Sequence, residues 1–145
     1  MPDASPDNPW TGGCQCGAVR NELSGPPVNL YVCHCRECRK QSASAFGVSL
    51  IVRRKDFRLT QGETKHWARP TDTGKILHCH FCAVCGSRVF HEGAAARETI
   101  SIKGGSLDQM LDLGKAIHIW TSRKLPGLPI PEQAVRFPQE PDEDD

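Results

Sequence analysis

Cys33-His34-Cys35-Arg36-Glu37-Cys38 sets three cysteines within six residues, with Arg39-Lys40 immediately after. One short turn with that spacing can chelate a single metal ion, but it does not by itself complete a tetrahedron. How the fourth position is filled decides how the rest of the chain is read. The remaining five of the eight cysteines fall into two groups, Cys14/Cys16 and Cys79/Cys82/Cys85. Cys-x-Cys and Cys-x-x-Cys pairs in tight turns suit chelation better than a local disulfide.

Composition narrows the alternatives. The 145 residues are 38% hydrophobic and suit one domain. A core of that size gains from a metal staple. Eighteen basic and 17 acidic residues leave a net charge of +1, which calls for neither nucleic acid nor an anionic membrane as partner. No apolar run reaches 18 residues, so no membrane-spanning helix is expected. Residues 1–7 lack the basic and apolar regions of a signal peptide. A cytoplasmic location follows as the expectation, and thiols there are kept reduced.

The chain reads as mainly β, with short strands separated by Gly- or Pro-bearing turns and with short helical turns. Residues 1–9 hold three prolines and no apolar pattern and are expected to be mobile. Trp10-Thr11-Gly12-Gly13 leads into the first cysteine turn. Strands are expected at 18–23, 28–32, 45–52, 57–60, 64–67, 76–81, 88–91, 98–102 and 116–120, with 92–97 a loop. A helical turn is expected at 39–44, directly after Cys38. Residues 10–137 form the expected domain, and 138–145, ending Asp-Glu-Asp-Asp, an acidic solvated tail.

The cysteines can be partitioned by what a closed site needs. Cys82-Ala83-Val84-Cys85-Gly86 and Cys14-Gln15-Cys16-Gly17 are both glycine-followed turns. Together they supply four thiolates and close a long loop, where a metal is most useful to folding. Cys14, Cys16, Cys82 and Cys85 are thus the expected structural zinc site, against the blander reading that some of them are ordinary buried thiols. Cys33, Cys35 and Cys38 then form a three-ligand centre. It is either a catalytic zinc with an open fourth position or a second closed site completed by Cys79 or a histidine. Cys79 is expected as a buried free thiol near the first site, because it lies on the strand that leads into Cys82. His34 is expected to point away from its flanking ligands and to pack rather than ligate. His66, His91 and His118 have no spacing that argues for a site. Arg36, Arg39, Ser42 and Ser44 are candidate contacts to a bound thiol compound, with a solvated turn as the alternative for the basic residues.

Three stretches together resemble one family: 12–20 (Gly-Gly-Cys-Gln-Cys-Gly-Ala-Val-Arg), 33–47 (Cys-His-Cys-Arg-Glu-Cys-Arg-Lys-Gln-Ser-Ala-Ser-Ala-Phe-Gly) and 81–87 (Phe-Cys-Ala-Val-Cys-Gly-Ser). It is the glutathione-dependent formaldehyde-activating enzyme family, which includes the centromere protein V domain. The resemblance covers about residues 10–137. It implies small sheets bound around zinc, sometimes called a β-tent. It also implies two zinc ions, a structural one on Cys14, Cys16, Cys82 and Cys85 and a catalytic one on Cys33, Cys35 and Cys38. The implied activity is a carbon–sulfur lyase reaction, run toward S-hydroxymethylglutathione from glutathione and formaldehyde. A small thiol and an electrophile are the implied partners. The centromere-related branch implies the alternative of a non-catalytic zinc-stapled binding module. The family commonly carries Gly at the position of Ala43, Arg at that of Cys79 and Trp near Gly127. If position 43 needs a positive φ, Ala there costs about 1 kcal/mol.

Overall fold

The computed structural model of the chain describes residues 2–94 and 98–141. Its elements in order are β1 (Trp10–Gly13), β2 (Arg20–Leu23), β3 (Asn29–Cys33), α1 (Arg36–Ser42), β4 (Gly47–Arg53), β5 (Phe57–Gln61), β6 (Thr64–Pro70), β7 (Ile76–Cys82), β8 (Arg88–Gly93), β9 (Thr99–Lys103) and β10 (Ile117–Ile119), with four 3₁₀ turns. The fold is mainly β, as the sequence leads one to expect. A three-stranded sheet runs β1-β2-β5, and a seven-stranded sheet runs β10-β3-β4-β9-β8-β7-β6. All pairs are antiparallel except β10 with β3.

Strand alternation divides the large sheet into two chemically different faces. In β9, Ile100 and Ile102 are buried in the core, while Ser101 and Lys103 face a cavity. Register carries the same division across β4, where Leu50 lies opposite Ile102 and Ser49 opposite Lys103. The apolar face packs on the small sheet: Leu50, Val52, Ile100, Ile102 and Phe90 form one cluster with Trp10, Val19 and Leu23. A second, smaller cluster joins Tyr31, Cys33 and Ile119 to Trp120 and Phe137 on the other face. The core therefore lies between the sheets, and the outer face of the large sheet is left to carry polar chemistry.

Some expectations change on folding. Trp10-Thr11-Gly12-Gly13 is a strand, despite two glycines with low strand propensity, because it pairs with β2 along its whole length. The helix starts at Arg36 rather than after Cys38, because Cys35 caps it: the Cys38 N–H donates to Cys35 Sγ at 3.3 Å. Strand β8 runs on to Gly93, so part of the expected 92–97 loop is strand, and residues 95–97 lie outside the described residues. The N-terminal segment is not featureless: Ala4 is buried in the main cluster, and Ser5 and Asn8 exchange backbone hydrogen bonds. Residues 138–140 of the expected tail are also held. Trp120 N–H donates to Gln139 O, Ser122 Oγ to Pro138 O, and Trp120 Nε1 to Glu140 Oε1. Residues 142–145 lie outside the described residues.

Candidate metal centres and the adjoining cavity

Two groups of cysteine sulfurs converge, Cys14/Cys16/Cys82/Cys85 and Cys33/Cys35/Cys38, and within each group the sulfurs lie within 4.8 Å of one another. These are the two partitions that spacing suggests. In the first, Cys14 Sγ and Cys16 Sγ are 3.6 Å apart, and Cys16 Sγ and Cys82 Sγ 3.8 Å. A tetrahedral zinc with Zn–S bonds of about 2.3 Å places its sulfurs about 3.8 Å apart. The donor set and its spacing therefore fit zinc.

The four-cysteine group is where the two sheets are tied together. Cys14 and Cys16 lie in the β1–β2 turn of the small sheet, and Cys82 and Cys85 at the β7–β8 turn of the large one. Gly17 (φ +83°) and Gly86 (φ +81°) supply the left-handed backbone that turns each segment back. Backbone N–H groups then point at sulfur: Val19 N–H donates to Cys14 Sγ at 3.2 Å, and those of Val84 and Cys85 to Cys82 Sγ at 3.3 and 3.4 Å. At Cys14 the Val19 donor favours the thiolate that metal ligation requires.

The second group is built from one continuous segment. Cys33 ends β3, Cys35 caps α1, and Cys38 lies in the first turn of the helix. Crowding drives the three thiols apart in acidity. Contact with Cys35 and Cys38, together with burial, pushes Cys33 far up. Hydrogen bonds from Cys33 and Cys38 hold Cys35 down at about 2. Three adjacent sulfurs cannot all ionise without a cation, which is the condition a bound metal relieves.

His34 sits between two of these cysteines and is fully buried. Its Nε2 lies 2.9 Å from Nδ1 of His118, and the rings stack at 5.2 Å. His34 is thus a packing partner behind the cluster, as its position between ligands suggests. His118 has no spacing signal; parallel pairing of β10 with β3 sets it opposite Val32.

A cavity of about 400 Å³ opens beside Cys33 and Cys38 on the outer face of the large sheet. Its wall includes Cys79, Arg69, Arg88, His91, Ser101 and Lys103. Cys79 therefore faces the three-cysteine side, not the four-cysteine site as its place on the strand before Cys82 suggests. The reason is alternation: an offset of three along β7 is odd and carries the side chain to the opposite face. Cys79 is fully buried and belongs to neither sulfur group. Burial pushes its thiol up, so it stays protonated at neutral pH.

The other candidate contacts lie elsewhere. Arg36, Arg39 and Ser44 border a shallow depression with Lys40 and Ala43. Ser42 Oγ is spent on the helix end, 2.7 Å from Cys38 O and 3.0 Å from Phe46 O. None of these four lines the cavity beside Cys33; Glu37, Cys38, Lys40 and Gln41 represent α1 there.

Residues 9–123 match the glutathione-dependent formaldehyde-activating enzyme family. The chain belongs to this family. It is also similar to a crystal structure of a Rhodobacter sphaeroides protein, with 24% identity and a TM-score of 0.58, over 74% of this chain and 98% of that one. At that identity the likeness speaks for the fold alone. The expectation that Ala43 stands where a glycine is better suited has a physical basis in the backbone. Ala43 caps α1 with φ +51° and ψ 40°, a left-handed conformation that costs any residue with a Cβ. Among the described residues, no helix is long and apolar enough to cross a membrane.

Proposed function

We propose that the protein is a zinc-dependent enzyme of carbon–sulfur chemistry, which joins glutathione or a similar small thiol to formaldehyde or a related electrophile. The observation that carries this reading is the position of the Cys33/Cys35/Cys38 sulfurs. They form a three-member group, two of whose members, Cys33 and Cys38, line a cavity large enough for a small peptide-like thiol. The four-cysteine group, by contrast, has a full ligand set and joins two sheets, which suits a structural role.

Cys33, Cys35 and Cys38 would hold the zinc, which would favour the thiolate form of a small thiol near neutral pH, where a free thiol is mostly protonated. In the reaction itself, the substrate sulfur bonds to the carbonyl carbon, and the thiol proton ends on the former carbonyl oxygen. The chain's own residues set the environment. Burial lowers the Lys103 ammonium, against the opposing pull of the nearby Cys38 and Cys33 sulfurs. Tyr31, Ile51, Leu77 and Ile119 give the same space an apolar lining. Trp67, half exposed, stands at the cavity's edge on strand β6.

The test is the rate at which S-hydroxymethylglutathione appears from glutathione and formaldehyde, followed by NMR on zinc-loaded protein. Acceleration over the spontaneous reaction, lost in Cys35→Ala, supports the reading. A rate equal to the protein-free control overturns it for this pair of substrates.

A further inference from the structure

Arg69, Arg88 and Lys103 reach the cavity from three strands, β6, β8 and β9. Arg69 Nε lies 4.0 Å from Glu37 Oε2. Arg88 Nη1 donates to His91 Nε2 at 3.1 Å, and Lys103 Nζ donates to Ser49 Oγ at 2.8 Å. Burial, reinforced by the three cations, holds His91 down at about 2, so it is a neutral acceptor that orients the Arg88 guanidinium. Among the described residues, neither Arg88 nor Lys103 has a carboxylate partner. Glu37 serves Arg69, and Glu140 accepts from Trp120 Nε1. Ser101 Oγ, on the same wall, is buried with no hydrogen-bond partner. Desolvated cations and an orphaned hydroxyl each cost free energy until an acceptor arrives.

From this arrangement we infer that the cavity binds a carboxylate on Arg88 and Lys103, with Ser101 as a further donor, on a small molecule whose reacting atom sits at the Cys33/Cys35/Cys38 group. The inference rests on the proposed function in taking that group as the reacting centre. Formaldehyde has no charge to place there. The carboxylate therefore comes either from the thiol or from a carbonyl partner that is itself an acid, such as a 2-oxo acid. The wall recognises the group in both cases.

The test compares two small thiols that differ in the carboxylate, 3-mercaptopropionate and 2-mercaptoethanol, by calorimetric titration of the zinc-loaded protein. Propionate and glyoxylate serve as thiol-free probes of the subsite. The wild-type protein should prefer 3-mercaptopropionate by about tenfold or more. That ratio should fall toward unity in Arg88→Gln and by several-fold in Ser101→Ala, a change small enough to leave folding intact. Glyoxylate that competes with 3-mercaptopropionate more strongly than propionate does would assign the carboxylate to the carbonyl partner; equal competition would assign it to the thiol. A ratio near one in the wild type, unchanged in both variants, overturns the inference. If neither thiol binds, the thiol reading of the three-cysteine group falls. The anion subsite then stands only if propionate still binds the wild type and not Arg88→Gln.

Discussion

His34 Nε2 and His118 Nδ1 are 2.9 Å apart, and this buried contact joins the residue between two cluster cysteines to the sheet edge 84 positions away. It fixes the backbone that presents Cys33 and Cys35, since His34 N–H also donates to Ile119 O at 3.0 Å. Truncation of His118 leaves a buried imidazole without its partner, which costs about 1–3 kcal/mol. The expected result for His118→Ala is a stability loss of that size by urea unfolding. It should also release metal more readily from the three-cysteine group than from the four-cysteine group under chelator competition. Equal release from both groups would contradict the assignment.

The two sulfur groups should respond differently to loss of a ligand. Cys82→Ser removes a member of the group that ties the β1–β2 turn to the β7–β8 turn. Where metal-binding energy is folding energy, that loss unfolds the domain. Cys35→Ala removes a ligand and a helix cap within one local segment, so the native circular dichroism should persist while thiol-dependent activity disappears. Unfolding of Cys35→Ala would mark its cluster as structural.

Ala43 offers a stabilising change. Its left-handed φ costs about 1–2 kcal/mol, of which the added freedom of unfolded glycine takes back a part. Ala43→Gly should therefore raise stability by about 0.5–1 kcal/mol, read as a higher urea midpoint with an unchanged slope. The side chain is exposed, so no packing is lost with it.

His91 should make the protein acid-sensitive. Its folded value, about 2, lies far below the ordinary histidine value of about 6.5. Between those values the unfolded chain binds a proton that the folded chain does not. Its contribution is therefore fully present above about pH 6.5 and is lost as pH falls below it, by about 1.4 kcal/mol per unit. His91→Gln should lose less stability than wild type between pH 7 and pH 5.5, measured by denaturant titration at each pH. Parallel losses in the two proteins would show that His91 gains a proton in the folded state.

Much of this architecture is legible in the residues. Glycine-followed cysteine pairs mark the four-sulfur group because the turn geometry is local. Among the described residues, nine of the ten strands can be read from alternation, β-branched content or bounding Gly- or Pro-bearing turns. The cationic wall is not legible in the same way. Arg69, Arg88 and Lys103 lie on separate strands, and only register brings them together: Trp67 opposite Cys79, Cys79 opposite His91, His91 opposite Ser101, and Lys103 opposite Ser49. Alternation in Thr99-Ile100-Ser101-Ile102-Lys103 does show that Ser101 and Lys103 share a face, but not what the face meets. His118 is harder still, because a three-residue strand gives no sign that it pairs in parallel with β3.

On the proposed reading, the two sulfur groups hold metal for different purposes, one closed and one available to a thiol. Metal analysis of the purified protein, combined with the spectrum of its cobalt-substituted form before and after glutathione, tests it most directly. Two ions per chain are expected, with a change in sulfur-to-cobalt charge transfer for one of them on addition of glutathione, and with that change absent in Cys35→Ala. Two ions whose spectra are both indifferent to glutathione and to other small thiols would contradict it.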